Sequence, residues 1–187
     1  NDTLLGGAGN DDLNAVGNGD NRMEGGAGND AIDGGTGNDT ILGGDDNDTI
    51  VTGDGNNAAF GDAGNDTITG GAVADSLNGG AGNDNITGAA GSDTITGGAG
   101  VDTMTGGAGG VADTFVFAAG DTSAATGSID RITDFTGVTG DLDTLKIGYA
   151  GTTTNYAEIS TGTYSQALSD ASALIQSGSR DVVAVAV

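Results

Sequence analysis

The sequence predicts an all-β solenoid followed by a β-rich end piece, on three observations. Apolar residues return at intervals of nine from Leu4 to Met104, with a single slip of one residue. An Asp or Asn stands two places before each of them. Glycine, 39 of the 187 residues, recurs in phase with both, and proline is absent. A slack Gly-rich linker has no reason to keep such a phase.

Read in blocks of nine from Gly6, the chain runs GGAGNDDLN (6–14), then, after an extra residue at Ala15, VGNGDNRME (16–24). It continues GGAGNDAID, GGTGNDTIL, GGDDNDTIV and TGDGNNAAF over 25–60, then GDAGNDTIT, GGAVADSLN and GGAGNDNIT over 61–87, and GAAGSDTIT and GGAGVDTMT over 88–105. The first six places of a block need a backbone that turns tightly, which Gly at places one, two and four supplies. The last three, such as Thr67-Ile68-Thr69, read as a short strand with one side chain inward and two outward. The inward column is then Leu4, Leu13, Met23, Ile32, Ile41, Ile50, Ala59, Ile68, Leu77, Ile86, Ile95 and Met104.

These blocks match G-G-x-G-x-D-x-U-x, and the chain resembles the RTX family of calcium-binding nonapeptide repeats. The resemblance implies a right-handed parallel β-roll, a β-solenoid with two nonapeptides per coil and Ca²⁺ ions between successive turns. The stacking period is therefore eighteen, and the sixth-place residues fall into two rows. One is Asp11, Asp30, Asp48, Asp66, Asp84 and Asp102, without a break. The other is Asp2, Asn21, Asp39, Asn57, Asp75, Asp93 and Asp113, with two Asn. Asn keeps a carbonyl but loses the charge that sets Ca²⁺ affinity. One complete ladder of ions and one with weak or vacant sites around Asn21 and Asn57 are expected.

In the RTX pattern an ion takes carbonyls of places two and four plus the Asp from one loop. From the loop one coil on, it takes carbonyls of places one and three plus the Asp. Carried onto this sequence, Gly26, Gly28 and Asp30 face Gly43, Asp45 and Asp48, and Gly80, Gly82 and Asp84 face Gly97, Ala99 and Asp102. By the same rule Gly7, Gly9 and Asp11 face Gly25, Ala27 and Asp30. Gly44, Asp46 and Asp48 face Gly61, Ala63 and Asp66, while Asp62, Gly64 and Asp66 face Gly79, Ala81 and Asp84. In the broken row Gly71 and Asp75 face Gly88, Ala90 and Asp93, with Asp2, Asp39 and Asp113 as further ligands. Asp46, Asp62, Ala89 and Val73 stand where the pattern has Gly, and β-branched Val73 is the least suited to the dihedrals required. The rows imply roughly eight to ten Ca²⁺, each held by oxygen ligands.

One apolar residue in nine cannot by itself offset the entropy of ordering the other eight, and stacked carboxylates repel. Metal binding and folding are therefore expected to be one event.

After Thr105 the phase slips. GGAGGVADTFVF (106–117) resembles a last RTX turn, and the elements around IDRITDF (129–135) and DLDTLKI (141–147) resemble the cap that closes RTX domains. Residues 1–117 are read as the roll and 118–187 as a β-rich C-terminal cap, truncated at its end. The cap core is Phe115, Phe117, Ile129, Ile132, Phe135, Leu142, Leu145 and Ile147. Tyr164 to Gln176 reads as one short α-helix, with Thr163 at its start and Gly178 at its stop, and Asp181 to Val187 as a strand. The chain begins mid-repeat without Met and stops mid-strand, so it reads as a fragment, and no secretion signal can be placed in it.

Composition narrows the function. Without His or Cys there is no Ser–His–Asp triad, thiol nucleophile, zinc site of the usual kind or disulfide. The net charge is −23, with 27 acids against four bases, and Arg22 is the one base before residue 106, which excludes a nucleic-acid partner. No apolar run reaches the roughly 18 residues of a transmembrane segment. The Asp stand in equivalent metal-ligand places, unlike an acid–base pair with divergent environments, so no enzyme is expected. The resemblance implies a secreted, extracellular module, exported by type I secretion and folding on Ca²⁺. Its parent is expected to be a surface-layer or adhesin-like protein at the cell surface, with self-association or cell-surface polysaccharide as partners. One alternative is the folding and secretion appendage of a protease, lipase or epimerase whose catalytic domain lies upstream. An ice-binding module is the other: the Asn file is present (Asn10, Asn29, Asn47, Asn65, Asn83), but only Thr36 fits the Thr file such modules carry.

Overall fold

A computed structural model describes residues 1–15, 17–108, 111–118, 130–135, 137–138 and 141–147. The chain is an all-β parallel solenoid of about six turns, and the described residues contain no helix. The helix and strand expected over 164–176 and 181–187 lie outside them, as do Ile129 and the ends of the cap.

The strands in chain order are β1 (Thr3–Ala8), β2 (Asp12–Asn14), β3 (Arg22–Ala27), β4 (Ala31–Asp33), β5 (Thr40–Asp45) and β6 (Thr49–Val51). They continue as β7 (Ala58–Ala63), β8 (Thr67–Thr69), β9 (Ser76–Ala81), β10 (Asn85–Ala89), β11 (Thr94–Ala99) and β12 (Thr103–Gly107). Beyond these come β13 (Thr114–Phe117), β14 (Arg131–Ile132), β15 (Gly137–Val138), β16 (Asp141–Leu142) and β17 (Thr144–Ile147). Odd and even strands separate. One sheet has eight strands in the order β1-β3-β5-β7-β9-β11-β13-β17, the other seven, β14-β12-β10-β8-β6-β4-β2. Every neighbour in both is parallel, while β15 and β16 form a small antiparallel pair apart.

Register follows the eighteen-residue period. Met23, Ile41, Ala59, Leu77 and Ile95 lie side by side in one sheet, and Ile32, Ile50, Ile68, Ile86 and Met104 in the other. The two columns meet in a single core in which all of these side chains are buried, joined by Leu13, Ala15 and Phe115. At the C-terminal end Phe117, Ile132 and Phe135 pack against it, with the Phe115 and Phe135 rings 6.1 Å apart.

Two details depart from the sequence reading. The strands of the eight-stranded sheet from β1 to β11 are six residues long rather than three, because places one to three of the following loop stay paired across the rungs (Gly26 with Gly44, Ala27 with Asp45). The inserted residue also sits elsewhere. Ala15 N–H donates to Asp33 O as Gly34 N–H donates to Val51 O, so Ala15 holds place one of its loop and the extra residue follows it.

The parallel sheets run past Phe117. β14 continues the seven-stranded sheet with Ile132 beside Met104, and β17 continues the other with Leu145 beside Phe115.

Candidate metal centre

Two rows of loops join the sheets. First-row loops lead from the eight-stranded sheet into the seven-stranded one: Gly6–Asp11, Gly25–Asp30, Gly43–Asp48, Gly61–Asp66, Gly79–Asp84 and Gly97–Asp102. Second-row loops lead back: Ala15–Asn21, Gly34–Asp39, Thr52–Asn57, Gly70–Asp75 and Gly88–Asp93, then a longer passage from Gly106 to Asp113.

From Asn21 and Asp30 onward, each sixth-place side chain reaches back one rung. Asp30 Oδ1 accepts the backbone N–H of Asp11 at 2.8 Å, Asp48 that of Asp30 at 2.8 Å, Asp66 that of Asp48 at 2.7 Å, Asp84 that of Asp66 at 2.8 Å and Asp102 that of Asp84 at 2.9 Å. The second row has the same ladder, from Asn21 on Asp2 N–H to Asp113 on Asp93 N–H, all between 2.7 and 2.9 Å. One oxygen per side chain is thereby spent on the fold.

The other oxygen is not. Oδ2 of Asp11, Asp30, Asp39, Asp48, Asp66, Asp84 and Asp93 is buried with no hydrogen-bond donor, and all of these residues but Asp11 are 3 % exposed or less. A buried carboxylate oxygen with no donor is costly. What surrounds it adds acceptors. The space beside a place-one Gly holds both Oδ2 of its own loop and the place-one carbonyl of the next rung: Asp30 and Gly43 O beside Gly25, Asp48 and Gly61 O beside Gly43, Asp66 and Gly79 O beside Gly61, Asp84 and Gly97 O beside Gly79. The same two groups lie beside Gly6 (Asp11 and Gly25 O) and Gly88 (Asp93 and Gly106 O). In the absence of metal, burial pushes the Asp84 carboxyl up to about 7 and those of Asp48 and Asp93 up to about 6. Asp66 and Asp75 move in the same direction, again through burial.

Places two and four turn their carbonyls into the gap by positive φ. All twelve such residues in the first row have it, including the non-Gly Asp46 at 75° and Asp62 at 71°. In the second row Ala89 takes it at 78°. Gly71 and Val73 do not, so β-branched Val73 is the departure the backbone refuses. There Asp75 Oδ2 turns instead to the Gly71 N–H at 2.8 Å. The two Asn also differ from their neighbours: Asn57 Nδ2 donates to Gly55 O at 3.0 Å and Gly53 O at 3.3 Å, and Asn21 Nδ2 to Gly19 O at 2.7 Å.

The sequence reading missed three carboxylates. Asp130 Oδ1 accepts Asp102 N–H and Asp143 Oδ1 accepts Asp113 N–H, extending both ladders into the end piece. Asp134 accepts from Gly106 N–H at 2.8 Å and Gly107 N–H at 2.7 Å. The signal was present, since Asp130-Arg131-Ile132 and Asp143-Thr144-Leu145 repeat the Asp-x-apolar triplet. It was obscured because the spacing stretches to 28 and 30 residues.

Five segments, residues 1–15, 16–50, 42–77, 51–86 and 78–110, match the sequence model of the RTX calcium-binding nonapeptide repeat, itself four copies long. The chain belongs to the RTX calcium-binding repeat family. No curated protein matches it. RTX repeats bind Ca²⁺, and the first-row gaps fit that ion. They offer a buried Oδ2 without a donor near the place-one carbonyl of the next rung, hard oxygens of the kind Ca²⁺ takes. Among the described residues no three acidic side chains converge, so most ligands in such a gap would be backbone carbonyls. That also accounts for the dense glycine.

Proposed function

We propose that the chain is a non-catalytic Ca²⁺-dependent folding module of a secreted or cell-surface bacterial RTX protein, exported by type I secretion and structural in its parent. The observation that carries the reading is the file of buried, donor-free Asp Oδ2 atoms, each near a place-one carbonyl of the next rung. Such a file repels itself in the bare protein, and a cation is the group its chemistry lacks. Gly26, Gly28 and Asp30 with Gly43, Asp45 and Asp48 would form one such cradle, and the other first-row loops repeat it. When bound, Ca²⁺ supplies positive charge and takes oxygen ligands from both loops.

The protein's own part is to keep coil closure waiting. At the low Ca²⁺ of a cytosol, unscreened Asp rows hold the chain open and fit to thread an exporter. At millimolar Ca²⁺ outside, mass action favours the closed turns. Strands β14 and β17, with Phe135 over Phe115, would shield the last coil, the task of a cap at a solenoid end. The structural role in the parent is supported by a Thr-, Ala- and Gly-rich, base-poor composition that persists through residues 118–187.

Circular dichroism in EGTA, followed by titration with CaCl₂, tests the proposal. The expected result is a coil-like spectrum that converts to β on adding Ca²⁺. A full β spectrum in EGTA at neutral pH would overturn it.

A further inference from the structure

We propose that the second-row loops Thr52–Asn57 and Ala15–Asn21 are metal-free rungs in which a side-chain amide stands in the place of the cation, and that the place-one residue commits each loop to one state or the other. The proposal rests on the calcium reading above and divides the loops within it.

In the first of these loops the amide orientation is fixed from both ends. Asn57 Oδ1 accepts the Asp39 N–H at 2.8 Å, so Nδ2 must face the other way, and there it meets Gly55 O at 3.0 Å and Gly53 O at 3.3 Å. Those are the place-four and place-two carbonyls that an ion would take. Its donors thus lie where positive charge is wanted, and a cation arriving there would meet amide hydrogens. Asn21 does the same with Gly19 O at 2.7 Å.

Place one explains why these loops differ. A Cβ on Gly25, Gly43, Gly61, Gly79, Gly88, Gly97 or Gly106 would collide with Oδ2 of the Asp in its own loop. In these regular loops a carboxylate in the ladder pose and a side chain at place one therefore compete for the same space. Each loop with a sixth-place Asp from Gly6–Asp11 to Gly106–Asp113 has Gly at place one, whereas the two stretched loops that end in Asp130 and Asp143 begin at Phe117 and Asp134. The two loops with Asn carry Thr52 and Ala15 there, both buried, at 0 % and 8 % exposure. Thr52 with Asn57 and Ala15 with Asn21 thus act as coupled pairs.

The neighbour of the Thr52–Asn57 loop completes the closure. Asp75, the sixth-place residue of that neighbouring loop, has its Oδ2 held by the Gly71 N–H. Asn57 Nδ2 and Asp75 Oδ2 are thus each held by protein hydrogen bonding within their own loops. The second row therefore contains rungs whose pairing does not wait for metal, within a fold whose first row does.

Equilibrium dialysis of the whole chain against radioactive calcium, on the wild type and on N57D, T52G and T52G/N57D, tests this. The double variant should bind at least one more Ca²⁺ per chain than the wild type. N57D alone should gain none, or bind the added ion at least tenfold more weakly, because the Thr52 side chain remains. T52G alone should leave the number unchanged. An unchanged count in a folded T52G/N57D would overturn the proposal, and a full-strength extra site in N57D would overturn the coupling to place one. Should the double variant not fold, hydrogen exchange of the Asn57 side-chain amide in Ca²⁺-loaded wild type decides: protection supports the proposal, free exchange overturns it. A wild type that binds no calcium fails the underlying reading and this proposal with it. Calcium binding without the gain fails this proposal alone.

Discussion

The two loop rows start from the same six-residue pattern and share the same ladder of sixth-place side chains, yet they leave different amounts of chemistry unfinished. In the first row, Oδ2 of Asp11, Asp30, Asp48, Asp66 and Asp84 is buried without a donor, and every place-two and place-four residue is turned to positive φ. In the second row Asn21, Asn57 and Asp75 satisfy themselves within their own loops. One ladder thus leaves a continuous file of donor-free carboxylate oxygens, while the other interrupts it. The difference divides the repeat unit into parts. Oδ1 and the inward apolar residue build the solenoid, and under the proposed function Oδ2 with the place-one glycine makes it wait for calcium.

The largest contrast is expected from D66A against D75A. Both remove an acceptor from a buried backbone N–H, at Asp48 and at Asn57 respectively, a loss of about 1.5–3 kcal/mol for a charged acceptor. D66A also opens two first-row gaps, so its cost should grow as Ca²⁺ is raised. The cost of D75A should stay nearly level. Urea unfolding at several Ca²⁺ concentrations measures both, and equal Ca²⁺ dependence would erase the distinction between the rows.

Next in size is a pair at place one. G79A puts a Cβ against Asp84 Oδ2 and should raise the Ca²⁺ midpoint of folding several-fold. T52A, in a loop that already holds a side chain there, should leave that midpoint unchanged.

Acid sharpens the same comparison. The folded-state carboxyls of Asp84, at about 7, and of Asp48 and Asp93, at about 6, lie above the ordinary range through burial. Folding of the metal-free chain therefore takes up protons. The stability this contributes is fully present below about pH 4 and is lost as pH rises through 6 to 7. Without Ca²⁺, circular dichroism should show more β structure at pH 5 than at pH 8. Calcium affinity should fall as pH is lowered over the same interval, since protons and Ca²⁺ compete for the same oxygens. The smallest effect is expected at Arg22, whose ion pair with Glu24 at 2.5 Å is about half exposed. R22A should change stability by less than about 1 kcal/mol, with no effect on Ca²⁺ binding.

Much of this architecture is legible in the sequence because a solenoid writes its period into every rung. The inward column from Leu13 to Met104 and the alternation of two Asp rows follow from counting. So does the interruption at Asn21 and Asn57. What counting could not supply is where a side chain spends each of its atoms. That Asn57 donates to Gly53 and Gly55, rather than merely lacking a charge, depends on which way its amide faces. The place-one position of Ala15 needed the hydrogen bond to Asp33. Asp130 and Asp143 escaped because their rungs follow long insertions, where equal spacing no longer identifies equal places.

Anomalous scattering from crystals of the Ca²⁺-loaded chain tests the central claim most directly. The account predicts an unbroken file of calcium peaks between successive first-row loops, from Gly6–Asp11 to Gly97–Asp102. It predicts no peak on the Gly53 and Gly55 carbonyls beside Asn57, and none on the Gly19 carbonyl beside Asn21. Peaks of equal strength along both rows, or a first row without them, would contradict it.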